Sequence, residues 1–261
     1  MLRPLLENLI DYAGLFPPSA LPMPQALANY ERYRQSPEAW MLARFVAPVS
    51  RLDEMEAALA GPAPLVSALI GADLETDLAR IARAHVPIDT IELKASNATQ
   101  IDSAVRLIPP RLTAYFEVTD VSLIPVIQAA GARAKIRTGG VTPDAFPSSQ
   151  FIARFIETCA RHNTPFKATA GLHHPLRCYR PLTYSAGGPS GWMYGFLNLF
   201  TAAALARKGI SPIEPVLLEE RFDDHGLTGE DFAAARLGFA ISFGSCSFEE
   251  PVADLRELGL L

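Results

Sequence analysis

Residues 112–138 read LTAYFEVTDVSLIPVIQAAGARAKIRT. The stretch begins with a short apolar run at 112–118, continues with a helical pattern at 121–130, and reaches a second short run at 132–138 after Gly131. Two short buried strands joined by a helix favour a βαβ unit, in which the strands pair in parallel because the helix returns the chain to the same end of the sheet.

The same alternation of apolar run and helical pattern continues in both directions along the chain. We predict eight strands, at residues 9–16, 41–48, 65–71, 88–95, 112–118, 132–138, 165–172 and 240–245. Eight strands that alternate with helices favour an α/β fold of the (β/α)8 TIM-barrel type, which takes roughly 250 residues. We therefore predict a single barrel domain over residues 1–261. An open doubly wound sheet is the structural alternative.

The segment between the seventh and eighth predicted strands is enlarged. It contains predicted helices at 193–208 and 229–237, and a stretch at 181–191 that is rich in Gly, Ser and Pro. This stretch is expected to be a loop on the catalytic face, because long connections in compact domains are often functional lids.

Composition and charge are those of an ordinary globular protein. Hydrophobic residues make up 49% of the chain and charged residues 20%, and the net charge is −5. The chain as a whole therefore has no basic bias toward nucleic acid or an anionic membrane. The longest apolar run, at 192–206, falls short of the roughly 20 apolar residues that a membrane span needs. We expect neither nucleic acid nor a membrane as a partner.

The cysteines and the N-terminus predict a cytoplasmic protein. Cys159, Cys178 and Cys246 are odd in number and share no metal-ligand spacing, so neither a disulfide framework nor a cysteine metal site is expected. The first apolar stretch contains Glu7 and Asp11, which is not typical of a signal peptide.

Charged residues interrupt four neighbouring predicted strands, although buried parallel strands are usually apolar throughout. The charged positions are Glu92, Lys94, Glu117, Lys135, Arg137 and Lys167. Residues two apart on a strand share a face, so inward-facing side chains would bring two carboxylates and four cations into one lumen. The excess of cations predicts a small anionic substrate, a carboxylate or a phosphate. A structural ion network, or charges at exposed strand ends, is the alternative interpretation.

Two of these residues, Lys135 and Lys167, indicate Schiff-base chemistry. A partly desolvated lysine beside other cations has a lowered pKa, and its neutral amine can attack a carbonyl carbon. A nearby carboxylate or a second lysine can then transfer protons. This is the equipment of a class I aldolase, and it needs no cofactor.

The sequence resembles the deoxyribose-phosphate aldolase family of class I aldolases. The stretch 130–139, AGARAKIRTG, is similar to the family's A-G-A-D-x-x-K-T-S-T-G, and 167–172, KATAGL, is similar to K-A-S-G-G-I. The weaker similarities are 10–17 (IDYAGLFP) to I-D-H-T-x-L-K-P, 45–48 (FVAP) to V-C-V-x-P, 91–93 (IEL) to I-D-M, and 243–247 (FGSCS) to I-G-T-S-S. These motifs occur in the family's order along the whole chain.

The resemblance implies roles for particular residues. Lys135 would form the Schiff base, Lys167 would assist proton transfer, and Glu92 would be the counterpart of the family's catalytic aspartate. The turn formed by Gly244, Ser245, Cys246 and Ser247 would be a backbone cradle for an anionic group.

The departures from the family pattern point to a different substrate. The family's D-H-T is Asp11-Tyr12-Ala13 here, its S-T-G is Arg137-Thr138-Gly139, and its G-G-I-R-T is 170–174, AGLHH. Arg137 stands where the family has a small hydroxyl, and a guanidinium binds a planar carboxylate through two hydrogen bonds. We therefore expect the substrate not to be deoxyribose 5-phosphate.

We predict a catalytic set and a larger set that lines the substrate site. The catalytic residues are Lys135, Lys167 and Glu92. The substrate-binding residues are Asp11, Arg44, Lys94, Glu117, Arg137, Thr138, Gly171, His173, His174, Gly244, Ser245, Cys246 and Ser247. The run from Asp11 to Pro18 is expected to line the site, and Arg44 to extend its cationic surface.

Two other functions are open at this point. His173 or His174 with Glu92 or Glu117 would make a metal-dependent lyase or hydrolase, and a barrel that has lost its chemistry would be a binder of small anions. A further hypothesis is that one of the histidines activates the Cys246 thiol as a nucleophile. The alternative is that Cys246 is a small residue that fills a tight turn. Barrels of this type are commonly dimers or larger, so a homo-oligomer is also open.

Overall fold

A computed structural model describes residues 2–261, so Met1, the first residue of the predicted domain, lies outside the described residues. The described chain contains eight parallel strands that close into a barrel. In barrel order along the chain these are β1 (Ile10–Tyr12), β2 (Leu42–Pro48), β3 (Val66–Leu69), β4 (Ile88–Lys94), β5 (Thr113–Glu117), β6 (Arg133–Arg137), β7 (Phe166–Thr169) and β10 (Ala240–Ser245). The barrel closes between β1 and β10, where Asp11 pairs with Gly244. The predicted (β/α)8 fold is confirmed, and the open sheet is excluded.

Helices follow the strands and cover the barrel. They are α1 (Arg3–Leu6), α2 (Met23–Arg34), α3 (Leu52–Ala58), α4 (Leu74–Arg83), α5 (Ala98–Leu107), α6 (Ile124–Ala129), α7 (Ser149–Arg161), α8 (Phe196–Arg207), α9 (Glu214–Leu217), α10 (Gly229–Arg236) and α11 (Glu249–Glu257). No helix in the part of the chain that the structure describes is both long and apolar enough to cross a membrane.

The enlarged segment after β7 contains a hairpin rather than the open loop predicted at 181–191. Strands β8 (Cys178–Pro181) and β9 (Ser190–Met193) pair in antiparallel fashion, and only the residues between them form a loop. The predicted helix at 193–208 begins three residues later, at Phe196, because Met193 belongs to β9.

The first and seventh barrel strands fall furthest short of their predicted lengths. The first covers Ile10–Tyr12 rather than 9–16, and the seventh covers Phe166–Thr169 rather than 165–172. The seventh ends where Ala170 and Gly171 take positive φ angles of 63° and 75°, which a strand cannot accommodate. The apolar pattern continues past both ends because Phe16 and Ala170 line a cavity and Leu172 is buried, although none of them belongs to a strand.

Aromatic side chains hold the helices of the second half against the barrel. The ring centroid of Phe166 on β7 lies 5.5 Å from that of Phe155 on α7 and 5.3 Å from that of Phe239. Phe243 on β10 stacks on Phe196 of α8, with 5.1 Å between centroids. These edge-to-face and stacked contacts add to the area burial of each ring.

An arginine closes the N-terminal end of the barrel. Arg236 at the end of α10 donates to the carbonyl oxygens of Ala240 and Ile241 on β10, and its second terminal nitrogen donates to those of Glu7 (2.7 Å) and Asn8 (3.2 Å). One guanidinium thus joins the chain before β1 to the last strand. Burial lowers the pKa of Arg236 to about 10.

We expect Arg236→Met to destabilise the protein by about 1–3 kcal/mol, because buried carbonyl groups lose their donor while the apolar stem remains. Chemical denaturation monitored by circular dichroism measures the free energy of unfolding. Arg80→Met is the matched control, since Arg80 is exposed on α4 and such substitutions change stability by no more than about 0.5 kcal/mol. Equal stability of the two variants would show that the hydrogen bonds of Arg236 contribute nothing to the free energy of unfolding.

Candidate active site

Acidic and basic side chains alternate through the barrel lumen. The Lys167 Nζ lies 2.6 Å from Asp11 Oδ2 and 2.6 Å from Glu92 Oε1. The Lys135 Nζ lies 2.7 Å from Glu92 Oε2. The series continues from Lys135 to Glu117, and we call the six residues Asp11, Lys167, Glu92, Lys135, Glu117 and Arg137 the ion-pair chain. Its first four side chains are almost completely buried.

The ion-pair chain reaches solvent at Arg137. The Lys135 Nζ lies 2.9 Å from Glu117 Oε2, and Glu117 Oε1 accepts from Arg137 Nε at 3.2 Å. The Arg137 side chain is 48% exposed, whereas that of Lys135 is 4% exposed. Within residues 2–261 the two terminal guanidinium nitrogens of Arg137 have no hydrogen-bond partner. The chain therefore ends in a cation that can still bind an anion.

Strand register brings three of these side chains side by side. Glu117 on β5 is paired with Lys135 on β6, which is paired in turn with Lys167 on β7. Successive side chains on a strand point to opposite faces, so Ile136 and Ala168 face the surrounding helices while the lysines face the lumen. The alternation seen in the sequence thus places the charges inside.

Hydroxyl and backbone groups complete the coordination of the buried carboxylates. Ser67 donates to Glu92 Oε1 at 2.6 Å, and Ser242 donates to Asp11 Oδ2 at 2.7 Å. The backbone N–H of Arg44 donates to Asp11 Oδ1 at 3.1 Å. Neither serine was among the predicted site residues. Their sign in the sequence is a small polar residue at an inward position of an apolar strand.

Opposite charges decide the protonation states. Burial opposes the charged form of Glu92, but Lys135 and Lys167 outweigh it and lower the pKa of this carboxyl far below its usual range. Burial likewise opposes the charged form of Lys167, but Asp11 and Glu92 raise its pKa. Lys135 and Arg137 lower the pKa of Glu117 against the effect of its burial. The prediction that cations lower the pKa of a site lysine is wrong for Lys167, because its neighbours are carboxylates.

The predicted excess of cations is also wrong. Among residues 2–261, the ion-pair chain has three carboxylates against three cations, since Asp11 joins it. Lys94, counted with the cations, is exposed at the end of β4 and faces a neighbouring groove. Lys94 shares that groove with Lys135 and Arg137, and within the cavity itself the exposed end of Arg137 is the cationic group that can still bind an anion.

A cavity of about 280 Å³ opens above the ion-pair chain at the C-terminal ends of the strands. Glu92, Lys135 and Arg137 form one side of it, and Lys167 does not line it. The other predicted residues along the wall are Gly171, His173, Gly244 and Cys246, and an apolar part is formed by Ala13, Phe16, Pro17, Pro18, Val46 and Leu69. The structure thus brings seven of the sixteen predicted residues to one cavity large enough for a small ligand.

Several predicted binding residues lie elsewhere. Arg44 is held by Asp89 through two hydrogen bonds of 2.7 and 2.6 Å at the other end of the barrel. His174 binds Asp254 of α11 and does not line the cavity. Asp11 lies beneath the cavity, where it contacts Lys167.

Three more predicted residues, Thr138, Ser245 and Ser247, do not line the cavity and form hydrogen bonds with backbone groups. The Thr138 hydroxyl is buried and donates to the carbonyl oxygen of Ala170 at 2.6 Å. Ser245 is buried at the end of β10, and its hydroxyl accepts from the backbone N–H of Ser247. Ser247 in turn accepts from the N–H of Glu250 at the start of α11.

A close backbone contact shapes the cavity wall after β7. A Cβ atom at Gly171 would lie 2.8 Å from the Cα of Gly139, and φ at Gly171 is +75°. Only glycine fits such an approach. The tight turn carries His173 onto the cavity wall.

His173 is held by a carboxylate that the sequence analysis did not identify as part of the site. Its Nδ1 lies 2.9 Å from Glu250 Oε2 of α11, and Tyr184 of the hairpin loop donates to the same oxygen at 2.8 Å. Cys246 lies 3.9 Å from the Tyr184 hydroxyl, and burial raises the pKa of its thiol.

The metal alternative predicted a histidine beside Glu92 or Glu117. Both histidines bind carboxylates of α11 instead. In the described ranges, no three His, Cys, Asp or Glu side chains lie close enough together to hold a metal ion.

No family model matches this chain, and no curated protein matches it.

We expect stability to be constant near neutral pH and to fall in acid. Glu92 and Glu117 have lowered pKa values in the folded protein, so the stability they contribute is present above the unfolded-state pKa of about 4.3 and is lost as the pH falls below it. Lys167 has a raised pKa, so its contribution is present below about pH 10.4 and is lost above it. The acid limb is the range of low pH in which the free energy of unfolding falls as the pH is lowered. Glu92→Gln should make this limb less steep.

The matched control for this pH series is Glu257→Gln, at the exposed end of α11. It should follow the wild-type profile. An acid limb that is as steep in Glu92→Gln as in the control would contradict the assignment.

Proposed function

We propose that this protein is a Schiff-base-forming carbon–carbon lyase that acts on a small anionic carbonyl compound, with Lys135 as its nucleophile. One observation carries the proposal: Lys135 lines the cavity while its amine contacts two carboxylates, the buried Glu92 and the partly buried Glu117. A (β/α)8 barrel holds its active site at the C-terminal ends of the strands, which is where this cavity opens.

The two carboxylates supply what amine attack requires. Glu92 or Glu117 takes a proton from the Lys135 ammonium, and the neutral amine adds to the substrate carbonyl. The attacking nitrogen passes a second proton to the former carbonyl oxygen, the same carboxyl returns the first proton to it, and the oxygen leaves as water. The protonated Schiff base carries the same single positive charge as the lysine it replaces, so both carboxylates are paired again once it has formed.

Lys167 has a positioning role in this proposal. It is buried below the cavity, and its two carboxylate neighbours raise its pKa and so keep it charged. A permanent cation there holds Glu92 ionised and fixes its orientation toward Lys135. This differs from the proton-transfer role that the family resemblance implies.

Arg137 suggests where the anionic group of the substrate binds. It lies two residues beyond Lys135 on the same face of β6, which separates the two backbone positions by roughly 7 Å. A carboxylate attached directly to the carbonyl carbon could therefore reach the terminal nitrogens of Arg137 while Lys135 attacks the carbonyl. We propose a 2-oxo carboxylate as the substrate class, and pyruvate is its smallest useful probe.

We expect borohydride to reduce a pyruvate Schiff base to a stable secondary amine on Lys135. The chain has four lysines, Lys94, Lys135, Lys167 and Lys208, so peptide mass spectrometry can assign the adduct without ambiguity. Lys135→Ala should abolish labelling.

The matched control for Lys135→Ala is Lys208→Ala. Lys208 is exposed directly after α8, where it pairs with Asp231, so this variant should be labelled to the same extent as the wild type. An adduct on another lysine would overturn the assignment of Lys135. Thermal stabilisation by pyruvate without any adduct would show that the protein is a binder.

We expect Arg137→Ala to weaken pyruvate trapping by about 10- to 100-fold at subsaturating concentration, since a charge-assisted hydrogen bond contributes about 1.5–3 kcal/mol. Acetone is the matched ligand, because it has the same carbonyl and no carboxylate. Trapping of acetone should be nearly equal in the variant and the wild type. An equal loss for both ligands would mean that Arg137 acts on Lys135 rather than on the carboxylate.

A further inference from the structure

A second ionisable side chain faces the cavity from the side of α11. His173 is 7% exposed and lines the same cavity as Lys135. It is reached through the tight turn at Gly171 after β7, whereas its neighbour His174 points away from the cavity.

The contact with Glu250 defines which nitrogen of His173 is available. Glu250 Oε2 lies 2.9 Å from Nδ1 and also accepts from the Tyr184 hydroxyl. Burial opposes ionisation of Glu250, but the contacts with His173 and Tyr184 lower its pKa. An ionised carboxylate can only accept hydrogen bonds, so Nδ1 carries the proton and Nε2 of the neutral ring has a free lone pair.

Cleavage of a carbon–carbon bond needs a proton acceptor away from the Schiff-base nitrogen. Glu92 and Glu117 lie at that nitrogen, and each already contacts two cations. Apart from the ion-pair chain, the titratable side chains that line the cavity within residues 2–261 are His173 and Cys246. Burial raises the pKa of the Cys246 thiol, which makes it a poor base.

We propose that His173 is the general base of an aldol cleavage, and that the substrate is a 4-hydroxy-2-oxo carboxylate. The inference rests on the proposed Schiff base at Lys135 and deepens it. Lys135 forms the Schiff base at the carbonyl carbon, and Arg137 binds the carboxylate. His173 removes the proton of the hydroxyl group two carbons from the carbonyl.

The step balances with these three side chains and water. Nε2 of His173 removes the hydroxyl proton, and the oxygen's electron pair forms the carbonyl of a departing aldehyde. The C3–C4 bond breaks, and its electron pair forms the enamine double bond as the iminium nitrogen becomes neutral. The enamine then takes a proton at C3 from the His173 imidazolium, and water hydrolyses the resulting iminium to pyruvate and the Lys135 ammonium.

Glu250 is a positioning residue in this scheme. It holds the ring in the tautomer that leaves Nε2 unprotonated, and its charge stabilises the imidazolium after proton transfer. Glu250→Gln should therefore lower kcat for cleavage while KM changes little, because the side chain does not line the cavity. A change in KM alone would assign Glu250 a structural role.

The experiment compares two reactions of one set of variants. Borohydride trapping of pyruvate reports the Schiff base, and release of pyruvate from 4-hydroxy-2-oxopentanoate reports cleavage. His173→Gln should trap pyruvate within about threefold of the wild type and lose about 10²- to 10⁴-fold in kcat for cleavage. His174→Gln is the matched control, since His174 also binds a carboxylate of α11 but lies outside the cavity. It should retain both reactions.

Each outcome decides between the two proposals. Cleavage by His173→Gln within about threefold of the wild type overturns the role of His173 and leaves the Schiff base standing. Parallel loss of trapping and cleavage means that His173 is structural. A wild-type protein that traps pyruvate without cleaving the hydroxy acid overturns the substrate class, and one that traps no pyruvate overturns both proposals.

Discussion

An ion that is paired on both sides can remain charged inside a barrel, where an unpaired ion would cost several kcal/mol. In the ion-pair chain, Lys167 and Lys135 each lie between two carboxylates. Serine hydroxyls donate further hydrogen bonds to the carboxylate oxygens. The arrangement fixes the side chains without any ligand. Of its two amines, that of Lys135 is the one nearest the open end of the barrel, where a small molecule can approach.

Much of the fold could be predicted because eight strands with alternating helices leave a strong periodic signal. Strand ends were harder, since apolar residues such as Phe16 and Leu172 continue the pattern after pairing has stopped. Phe16 lines the cavity and Leu172 is buried. Hydrophobicity reports that a residue is sheltered from water, and it does not distinguish a strand from a folded-back loop.

The site was partly predictable for the same reason. Two-residue periodicity placed Glu92, Lys135 and Lys167 in the lumen if their faces point inward, and in the structure both lysines contact Glu92. It could not say that Lys94, with the same parity as Glu92, lies at an exposed strand end. Nor could it find Glu250 or Tyr184, because a carboxylate in a helix's first turn is equally explained by the helix dipole, and their contact with His173 bridges distant segments of the chain.

The cavity is built from two kinds of structure. Its charged floor belongs to barrel strands, whose positions are tied to every neighbour, whereas its apolar rim is formed by the loop containing Phe16, Pro17 and Pro18. Such loops can change in length and sequence at little cost to the barrel. A protein with the same strands and a different rim would keep the charged floor while it accepted a ligand of different shape, so selectivity in this scaffold can diverge without any change in the buried charges.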